Sequence, residues 1–385
     1  MDSLSLEVYA QEHFKLPKSK KERSNERLII AELVSYSPNP ITKPLLSQVP
    51  KNAVKLAILT FKQILDYINN RDETHLLIVL TLSGHHELID EVYFQIIKQT
   101  YNCPERGILM HAWDLLLIIS TIFPASLEAQ DTIKSYLYQQ SQSYDRQVAI
   151  IAQFTLIRFS SRCTIAEIPE LDAKYINDIP NHPQTTTAVF GVSLYEIMWG
   201  QRRTNPRCPL PYFLVQMSEA LIKTGGTHTE GIFRKPGNMK RVHEMMEQAN
   251  RGIDVFTFAN PYDISSLYKE WFRDLVDPLV PFDMMFSIEN CLINHKAVEF
   301  AEQLPGLHAI TLAYLIGFLQ EMAKYENETK MSISNYAMVF APNIVFVQNK
   351  EDLELSRRFI FQLINDWDVS SIYPFPSELL SPSPQ

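Results

Sequence analysis

A glycine-rich loop around Arg234 carries the residue types best suited to chemistry. Four of the chain's 11 glycines lie within one short stretch, Gly225–Gly237, and glycines so concentrated serve tight turns and close backbone approach. Asn238 has the side chain of a helix N-cap, so we expect Arg234 just ahead of a helix N-terminus. There the guanidinium and the helix dipole both favour an anion such as phosphate. Taken alone, the pattern is more typical of an ordinary exposed arginine.

A pair of cations is spaced to share one helix face. The apolar residues of Ile264–Leu275 recur at helical spacing, and Lys269 and Arg273, four residues apart, fall on the side away from that apolar face. Asp277 before Pro278 is expected to end the helix, because the residue before proline disfavours helical backbone. A solvated basic pair on an acidic protein is the alternative explanation.

A third element ends in a proline and an asparagine. The apolar segment Met331–Asn343 is predicted to be a helix that stops at Pro342, because proline lacks the N–H that a helix needs. The amide of Asn343 is then expected in the following turn, where asparagine side chains commonly bond to the backbone.

The signatures of most enzymes are absent from the sequence. There is no Gly-x-Gly-x-x-Gly, no phosphate-binding loop ending in Gly-Lys-Ser/Thr and no Gly-x-Ser-x-Gly elbow. His85-His86-Glu87 lacks a second histidine four residues on, so the helical zinc pattern fails and we interpret the run as a polar helix start. We therefore expect no cofactor, metal or nucleotide site in the chain.

Charge and cysteine usage narrow the class of protein. The formal net charge of -9, from 35 basic and 44 acidic residues, argues against nucleic acid and anionic membranes as partners. Lys15–Arg27 is the local exception, a basic run that is either a docking arm or a solvated segment. The four cysteines are far apart with no Cys-x-x-Cys pair, so reduced thiols in the cytoplasm are expected.

Two segments have some features of a membrane or targeting signal but lack others. Met1–His13 lacks the basic start and apolar core of a signal peptide. Leu304–Gln320 is uncharged, but it is shorter than a membrane span and contains Pro305, so a buried helix is expected there and no transmembrane segment anywhere.

Apolar periodicity predicts an all-α protein with two helical-bundle domains in tandem. The apolar residues of Val54–Ile68 recur at helical spacing throughout. Two other segments, Leu88–Gln99 and Ala112–Ile122, are apolar on more than one face, as helices inside a bundle are. Glu167–Val189 shows no apolar period among its prolines and threonines, so we place the boundary between the domains near residue 185. The predicted organisation is a basic N-terminal arm at 1–27, a helical domain at 28–165, a linker at 166–189, a second helical domain at 190–370 and a disordered tail at 371–385.

Short blocks in the second half resemble the successive signature blocks of the RhoGAP domain, over about Phe190–Asp368. The resemblance implies a helical domain that accelerates GTP hydrolysis by Rho-family small GTPases. The blocks are Phe190-Gly191-Val192-Ser193-Leu194, Thr229–Arg234 with Gly237, Lys269-x-x-x-Arg273-Asp274-Leu275 ahead of Pro278-Leu279, and Asn335 with Phe340-Ala341-Pro342-Asn343.

The resemblance also implies roles for single residues. Arg234 corresponds to the arginine finger, which enters the GTPase active site in trans, so the chain would be a GTPase activator and not an enzyme in its own right. Lys269 and Arg273 would flank the GTPase contact and brace the finger loop, and Asn343 would bind the GTPase near its switch regions. Tyr336, where leucine is more usual, departs from the pattern without removing a reacting group.

The first half resembles the myosin-tail-homology 4 domain over about Leu28–Phe159. This resemblance implies a docking module for microtubules or another cytoskeletal protein, and a cytoplasmic chain associated with the cytoskeleton. Together the two halves resemble the C-terminal half of Vilse-type Rho GTPase-activating proteins. The blocks are Ile41-Thr42-Lys43-Pro44-Leu45-Leu46, Phe61-Lys62-x-Ile64-Leu65-x-Tyr67, Asp90–Gln99, Ala112-Trp113-x-Leu115-Leu116 and Phe123-Pro124.

Two further functions stay open on the sequence. A non-catalytic scaffold would bind a small GTPase and cytoskeletal partners without speeding hydrolysis, and loss of the finger would indicate it, whereas Arg234 is present. An independent hydrolase has no nucleophile-and-base pattern in its favour.

Overall fold

A computed structural model describes residues 6–16, 26–164, 168, 172–282 and 284–374 of the 385-residue chain. Within these ranges the protein is helical, and its β structure is limited to one isolated bridge between Phe14 and Leu46. The all-α prediction is confirmed. The chain divides into two compact units, which meet in sequence at Thr185 and Thr186.

The first unit is a bundle of amphipathic and fully buried helices. Its described helices are α1 (Leu6–His13), α2 (Glu26–Val34), α3 (Val54–Asn70), α4 (Thr74–Gly84), α5 (Ile89–Thr100), α6 (Arg106–Ile122), α7 (Leu127–Ser141), α8 (Arg146–Cys163), α9 (Ala173–Asp178) and α10 (His182–Thr185).

The core of the first unit forms around α5 and α6, the helices whose sequences are apolar on more than one face. Trp113 is fully buried on α6, which packs against α3, α5 and α8. On α5 the buried Glu91 accepts 2.8 Å hydrogen bonds from the backbone N–H groups of Leu45 and Leu46. Burial raises the pKa of this carboxyl, while the two N–H groups oppose that rise. Glu91 thereby ties the segment before α3 to the core.

Part of the predicted N-terminal arm, 1–27, is folded against the first unit. Tyr9 of α1 is buried and stacks on Phe94 of α5, with the ring centroids 4.6 Å apart. The sequence did not indicate this helix because α1 is only two turns long, so periodicity has too few residues to register. Residues 17–25, and with them most of the basic segment Lys15–Arg27, lie outside the described residues.

The predicted linker, 166–189, also differs from an unstructured connection. It contains α9, the 3₁₀ turn Ile179–Asn181 and α10, and the side chains of Ile176 and Ile179 are buried. The prolines of this stretch had suggested a break, yet Pro180 occupies the start of a helical turn, where a backbone N–H would have no partner within the helix. The connection between the units is therefore shorter than the sequence predicts.

The second unit is also built from helices. Its described helices are α11 (Leu194–Gln201), α12 (Tyr212–Lys223), α13 (Met239–Asn250), α14 (Pro261–Arg273), α15 (Ile288–Ile293), α16 (Ala297–Glu302), α17 (Gly306–Ala323), α18 (Glu326–Thr329), α19 (Ile333–Ile344) and α20 (Lys350–Asp366), with 3₁₀ turns at Gly226–His228 and Met285–Ser287.

Helix α14 lies at the centre of this unit and packs against α12, α13 and α19. Its Tyr268 and Trp271 are fully buried. The prediction that Asp277 ends this helix is wrong, since α14 ends at Arg273. The chain leaves the helix early because the next residues bond elsewhere, with the N–H of Val276 donating to Val192 at 3.3 Å.

The C-terminal segment begins packed and not disordered. Of the predicted tail, 371–385, the first four residues are described, and Tyr373 contacts Tyr314 and Phe318 of α17 at centroid distances of 5.3 and 6.2 Å. Residues 375–385 lie outside the described residues. Among the helices described, none combines the length and the apolar character that crossing a membrane would require.

Candidate functional site

Arg234 lies on the loop that joins α12 to α13, and its side chain is exposed. The loop closes on itself, because the N–H groups of Arg234 and Lys235 both donate to the Gly231 carbonyl oxygen, at 3.0 and 2.8 Å. Gly231 adopts a φ of +72°, a left-handed conformation that residues with a Cβ rarely tolerate. The glycines of this stretch therefore shape a tight turn, as the sequence indicated. We call Thr229–Gly237 the finger loop.

Phe233 anchors the finger loop in the core of the second unit. Its side chain is fully buried, and its ring meets those of Phe340, Tyr268 and Tyr336 edge-on, with centroids 5.0, 5.8 and 6.1 Å away. Its φ of +65° is strained for a residue with a side chain, and such strain persists only where the surroundings impose it. Burial of Phe233 thus turns the next residue, Arg234, outward.

Lys269 supports the finger loop from α14. Its ammonium donates a 2.6 Å hydrogen bond to the Phe233 carbonyl oxygen. Burial lowers the pKa of Lys269, nearby Glu270 opposes this effect, and Arg273 adds to it. The prediction that Lys269 points away from the core is therefore wrong, because a partly buried lysine here satisfies a loop carbonyl.

Arg273 has the exposed position that the sequence predicts. Its guanidinium forms an ion pair with the Glu270 carboxylate, one turn earlier on α14. Because the Arg273 side chain is 60% exposed, the pair contributes little to stability and leaves the cation accessible. The described contacts of Arg273 do not include the finger loop, so bracing of that loop falls to Lys269.

The neighbours of Arg234 are held in place by polar contacts. Glu230 accepts a hydrogen bond from Lys235 at 3.1 Å, which holds the pKa of the Glu230 carboxyl below its ordinary value, and the Tyr262 hydroxyl donates to the Glu230 carbonyl at 2.9 Å. The Gly231 N–H donates to the Thr329 carbonyl at 2.6 Å. By contrast, the Arg234 guanidinium makes no hydrogen bond or ion pair with any residue in the described ranges.

Helix α13 begins directly after the loop. Asn238 is its N-cap, and the Asn238 side chain accepts a 3.3 Å hydrogen bond from the N–H of Arg241. This confirms the prediction that Arg234 lies just ahead of a helix N-terminus. The partial positive charge of that terminus and the guanidinium favour the same kind of ligand, an anion.

Asn343 lies inside α19 and not in a turn after it. The helix continues through Pro342 to Ile344, so the prediction that Pro342 ends the helix is wrong. A proline removes only its own N–H, and the next turn is still closed by the N–H of Val345 bonding to the Ala341 carbonyl at 3.1 Å. The Asn343 amide donates to the Val339 carbonyl at 2.7 Å, which leaves its side-chain oxygen for another partner.

Comparison with known protein families decides what these two units are. A model of the RhoGAP domain matches residues 211–349, and a model of the MyTH4 domain matches residues 77–167. The chain carries a MyTH4 domain followed by a RhoGAP domain. Arg234, Lys269, Arg273 and Asn343 all lie within the part matched to the RhoGAP domain.

Two curated proteins of similar sequence are named as GTPase-activating proteins. GTPase activating protein homolog 3 of Dictyostelium discoideum is 34% identical over 158 residues, covering 40% of this chain and 12% of that protein. Rho GTPase-activating protein 1 of Arabidopsis thaliana is 30% identical over 240 residues, covering 60% and 48%. The chain thus spans less than half the length of either relative. The crystal structure of human Rho GTPase activating protein 15 is 18% identical and aligns with a TM-score of 0.45 over 53% of this chain and 99% of that one.

The arrangement presents an exposed cation. Within the described residues, no cluster of three or more histidine, cysteine or acidic side chains could hold a metal ion. His85 bonds to Glu87 at 3.1 Å beside the 3₁₀ turn His86–Leu88, in keeping with a polar helix start. What the RhoGAP domain presents instead is an exposed guanidinium on a loop fixed from several sides.

The sequence indicated Arg234 but not the contacts that hold its loop in place. The contact between Lys269 and Phe233 joins residues 36 positions apart, and no local pattern reports such a pair. The signal that could have been used is the apolar Phe233 in the midst of a glycine-rich polar loop, because an apolar residue there implies a core contact.

Proposed function

We propose that this chain accelerates GTP hydrolysis by a Rho-family small GTPase, with Arg234 entering the active site of the GTPase. The observation that carries the proposal is the contrast between adjacent residues. Phe233 is fully buried, whereas Arg234 is exposed and has no hydrogen-bond or ion-pair partner among the described residues. A loop built in this way holds a guanidinium ready for a ligand supplied by another protein.

The chemistry of GTP hydrolysis explains the need for such a residue. As the γ-phosphoryl group transfers to water, negative charge spreads over its oxygens, and catalysis consists mainly of positioning and of stabilising that charge. A guanidinium stays charged at every physiological pH and offers a planar fork of donors, so it can bridge two oxygens where an ammonium cannot. The GTPase provides the nucleotide site, and this chain provides the arginine.

Fixing the loop in advance makes the arginine effective. A charge that is already oriented needs no reorganisation when the transition state forms, which is why preorganised groups lower barriers more than mobile ones. Here the orientation is set by the buried Phe233 ring, by the Lys269 ammonium on the Phe233 carbonyl, and by the turn closed at Gly231.

We assign the docking face around the finger to Arg273 and Asn343, with Lys269 acting mainly from behind the loop. Arg273 is exposed, and the side-chain oxygen of Asn343 accepts no hydrogen bond from the described residues; Asn343 lies on α19, a helix that packs against α14. Contacts of this kind raise affinity for the GTP-bound partner, but they do not reach the developing charge. The chain is therefore a GTPase activator and carries out no reaction alone.

The MyTH4 domain is proposed to bind microtubules or another cytoskeletal protein, which would associate this cytoplasmic chain with the cytoskeleton. The basic segment Lys15–Arg27 supports this, since it opposes the acidic balance of the whole chain. We propose the domain limits 28–165 and 190–370, with residues 166–189, which contain α9 and α10, between them.

A panel of purified Rho-family GTPases, each loaded with GTP, tests the proposal. Single-turnover hydrolysis is measured with the full chain and with Arg234→Ala. We expect at least one GTPase to be accelerated by roughly 10³-fold or more, and most of that gain to disappear with Arg234→Ala. Binding to the GTP-bound form without acceleration would replace the activator with a non-catalytic scaffold.

A further inference from the structure

The finger loop is tied to α14 at its exit as well as at Phe233. The N–H of Gly237 donates to the Ser266 hydroxyl oxygen at 2.9 Å. The N–H of Asn238 donates to the Asp263 carboxylate at 2.8 Å. Both side chains are buried, with 3% of Ser266 and 1% of Asp263 exposed. Buried polar side chains that bond to another segment's backbone fix that segment more firmly than exposed ones do.

Gly237 allows the loop and the helix to touch. A Cβ on Gly237 would lie 2.6 Å from the Tyr262 carbonyl oxygen and 2.7 Å from the Asp263 Cα, and both of these are backbone atoms. The loop therefore passes closer to α14 than any other residue type at this position permits. This close approach is what brings the two N–H groups within reach of Asp263 and Ser266.

We propose that Asp263 and Ser266 are positioning residues that set the placement of Arg234 for catalysis. The inference rests on the activator function proposed above and assigns to these residues a part in it. Neither side chain is expected to touch the GTPase or its nucleotide, since both are buried behind the loop. They act through the backbone of the loop.

The order of the contacts along α14 supports this role. Asp263, Ser266 and Lys269 are spaced three residues apart, and they bond in turn to Asn238, Gly237 and Phe233. Residue numbers therefore rise along the helix while they fall along the loop, so the two segments run antiparallel. The segment Arg234–Pro236 spans the gap between the second and third contacts, so it is held at both ends.

A span held at both ends loses its geometry when either end is released. An error of about 1 Å in the placement of a catalytic group can lower a rate by about 10²-fold. Binding of the partner depends on the whole docking face, so it should change much less. The expected signature is a lower rate at saturation with little change in the half-saturating concentration.

Neighbouring serines on α14 provide a matched test in the full chain. Ser266→Ala removes the acceptor for the Gly237 N–H. Ser265→Ala removes a hydroxyl that is also buried but bonds within α14, to the Tyr262 carbonyl. Single-turnover hydrolysis is measured across a range of activator concentrations with the GTPase that responds best. We expect Ser266→Ala to lower the saturated rate by roughly 10-fold and Ser265→Ala to leave it unchanged.

A second variant covers the possibility that water replaces the lost hydroxyl. Gly237→Ala forces the loop away from α14, and Gly306→Ala is its control because a Cβ there meets nothing within 4 Å. We expect Gly237→Ala to lower the saturated rate by roughly 10²-fold with the second unit still folded, as judged by its thermal midpoint. The proposal is overturned if both Ser266→Ala and Gly237→Ala keep the wild-type saturated rate, or if they change only the half-saturating concentration.

The same assay separates this inference from the function on which it rests. If wild type accelerates no GTPase, or if Arg234→Ala accelerates as well as wild type, the activator mechanism fails and the positioning role fails with it. If Arg234→Ala loses the acceleration while Ser266→Ala and Gly237→Ala retain it, the positioning role alone is wrong.

Discussion

The Lys269 ammonium donates a 2.6 Å hydrogen bond to the carbonyl oxygen of Phe233, the residue directly before Arg234. This contact links the central helix of the RhoGAP domain to the loop that carries the proposed finger. We propose that the two cations of α14 have different tasks, since Arg273 pairs with Glu270 and stays exposed. Position on the same helix therefore does not imply the same role.

Substitution of the two cations should separate rate from affinity. Lys269→Met removes the bond to the loop, so we expect the saturated single-turnover rate to fall roughly 10-fold, because a charge-assisted hydrogen bond that orients the loop is lost. Arg273→Met keeps that bond and should raise the half-saturating concentration instead. Equal effects of both variants on affinity, with no loss of saturated rate, would contradict the division.

Phe233 should matter for stability as well as for activity. Phe233→Ala empties a fully buried site among aromatic rings, which typically lowers the free energy of unfolding by about 3 to 5 kcal/mol. Phe286→Ala is the matched control, because its ring is 91% exposed and its loss should change stability by less than about 0.5 kcal/mol. Hydrogen exchange of the α14 and α19 amides in the full chain measures the change of stability in each variant. Similar protection in the two variants would show that Phe233 is not the anchor.

The first unit should respond to pH through Asp114. Burial raises the pKa of this carboxyl from 3.8 to about 6, although Arg71 lies 3.1 Å away and opposes the rise. The folded state then binds the proton more tightly than the unfolded state. The contribution of Asp114 to the free energy of unfolding is largest below pH 3.8. It is lost as the pH rises through about 6, and the loss is at most about 3 kcal/mol.

Asp114→Asn should remove this dependence. We expect the protection of α6 amides in wild type, corrected for intrinsic exchange, to fall between pH 4 and pH 7, and to fall less in Asp114→Asn. Asp66→Asn, an exposed acid on α3, is the control and should behave as wild type. The assignment fails if all three chains show the same pH dependence.

Binding of the MyTH4 domain to microtubules should depend on salt. Exposed charges interact over a Debye length that shrinks from about 10 Å at 0.1 M salt to about 3 Å at 1 M. We expect co-sedimentation at low salt that weakens as salt is added, and weaker binding when Lys18, Lys20 and Lys21 are replaced by glutamine. A chain with the exposed lysines Lys223, Lys296 and Lys324 of the second unit replaced is the control. Absence of co-sedimentation at low salt would remove microtubules as the partner.

The sequence was a good guide to elements with a long, regular apolar pattern. α3 was predicted over Val54–Ile68 and extends over Val54–Asn70, because seventeen residues repeat the helical period many times. The finger loop was predicted from its glycines and from the N-cap at Asn238. Local chemistry determines such features, so local reasoning finds them.

Features set by distant contacts were beyond sequence reasoning. α1 has two turns and depends on stacking of Tyr9 on Phe94, while α14 ends early because Val276 bonds to Val192. Pro342 was expected to stop α19, yet proline removes only its own N–H, and the Val345 N–H still closes the next turn on the Ala341 carbonyl. The first two outcomes are decided by partners far away along the chain, and the third by a local backbone hydrogen bond.

The proposed mechanism depends on Arg234, and Lys235 supplies a control one residue away. Both side chains are exposed on the same loop, but Lys235 is paired with Glu230 while Arg234 has no such partner among the described residues. Conversion of Arg234 to lysine keeps the positive charge and removes the planar fork, so the comparison tests the geometry of the donor and not charge alone.

The most direct measurement is the saturated single-turnover rate of GTP hydrolysis by the responding GTPase with wild type, Arg234→Ala, Arg234→Lys and Lys235→Ala. We predict that Arg234→Ala and Arg234→Lys lose most of an acceleration on the order of 10³- to 10⁵-fold, about 4 to 7 kcal/mol, while both still bind the GTP-bound GTPase. Lys235→Ala should retain the acceleration. Near-wild-type rates with Arg234→Ala would contradict the arginine-finger mechanism.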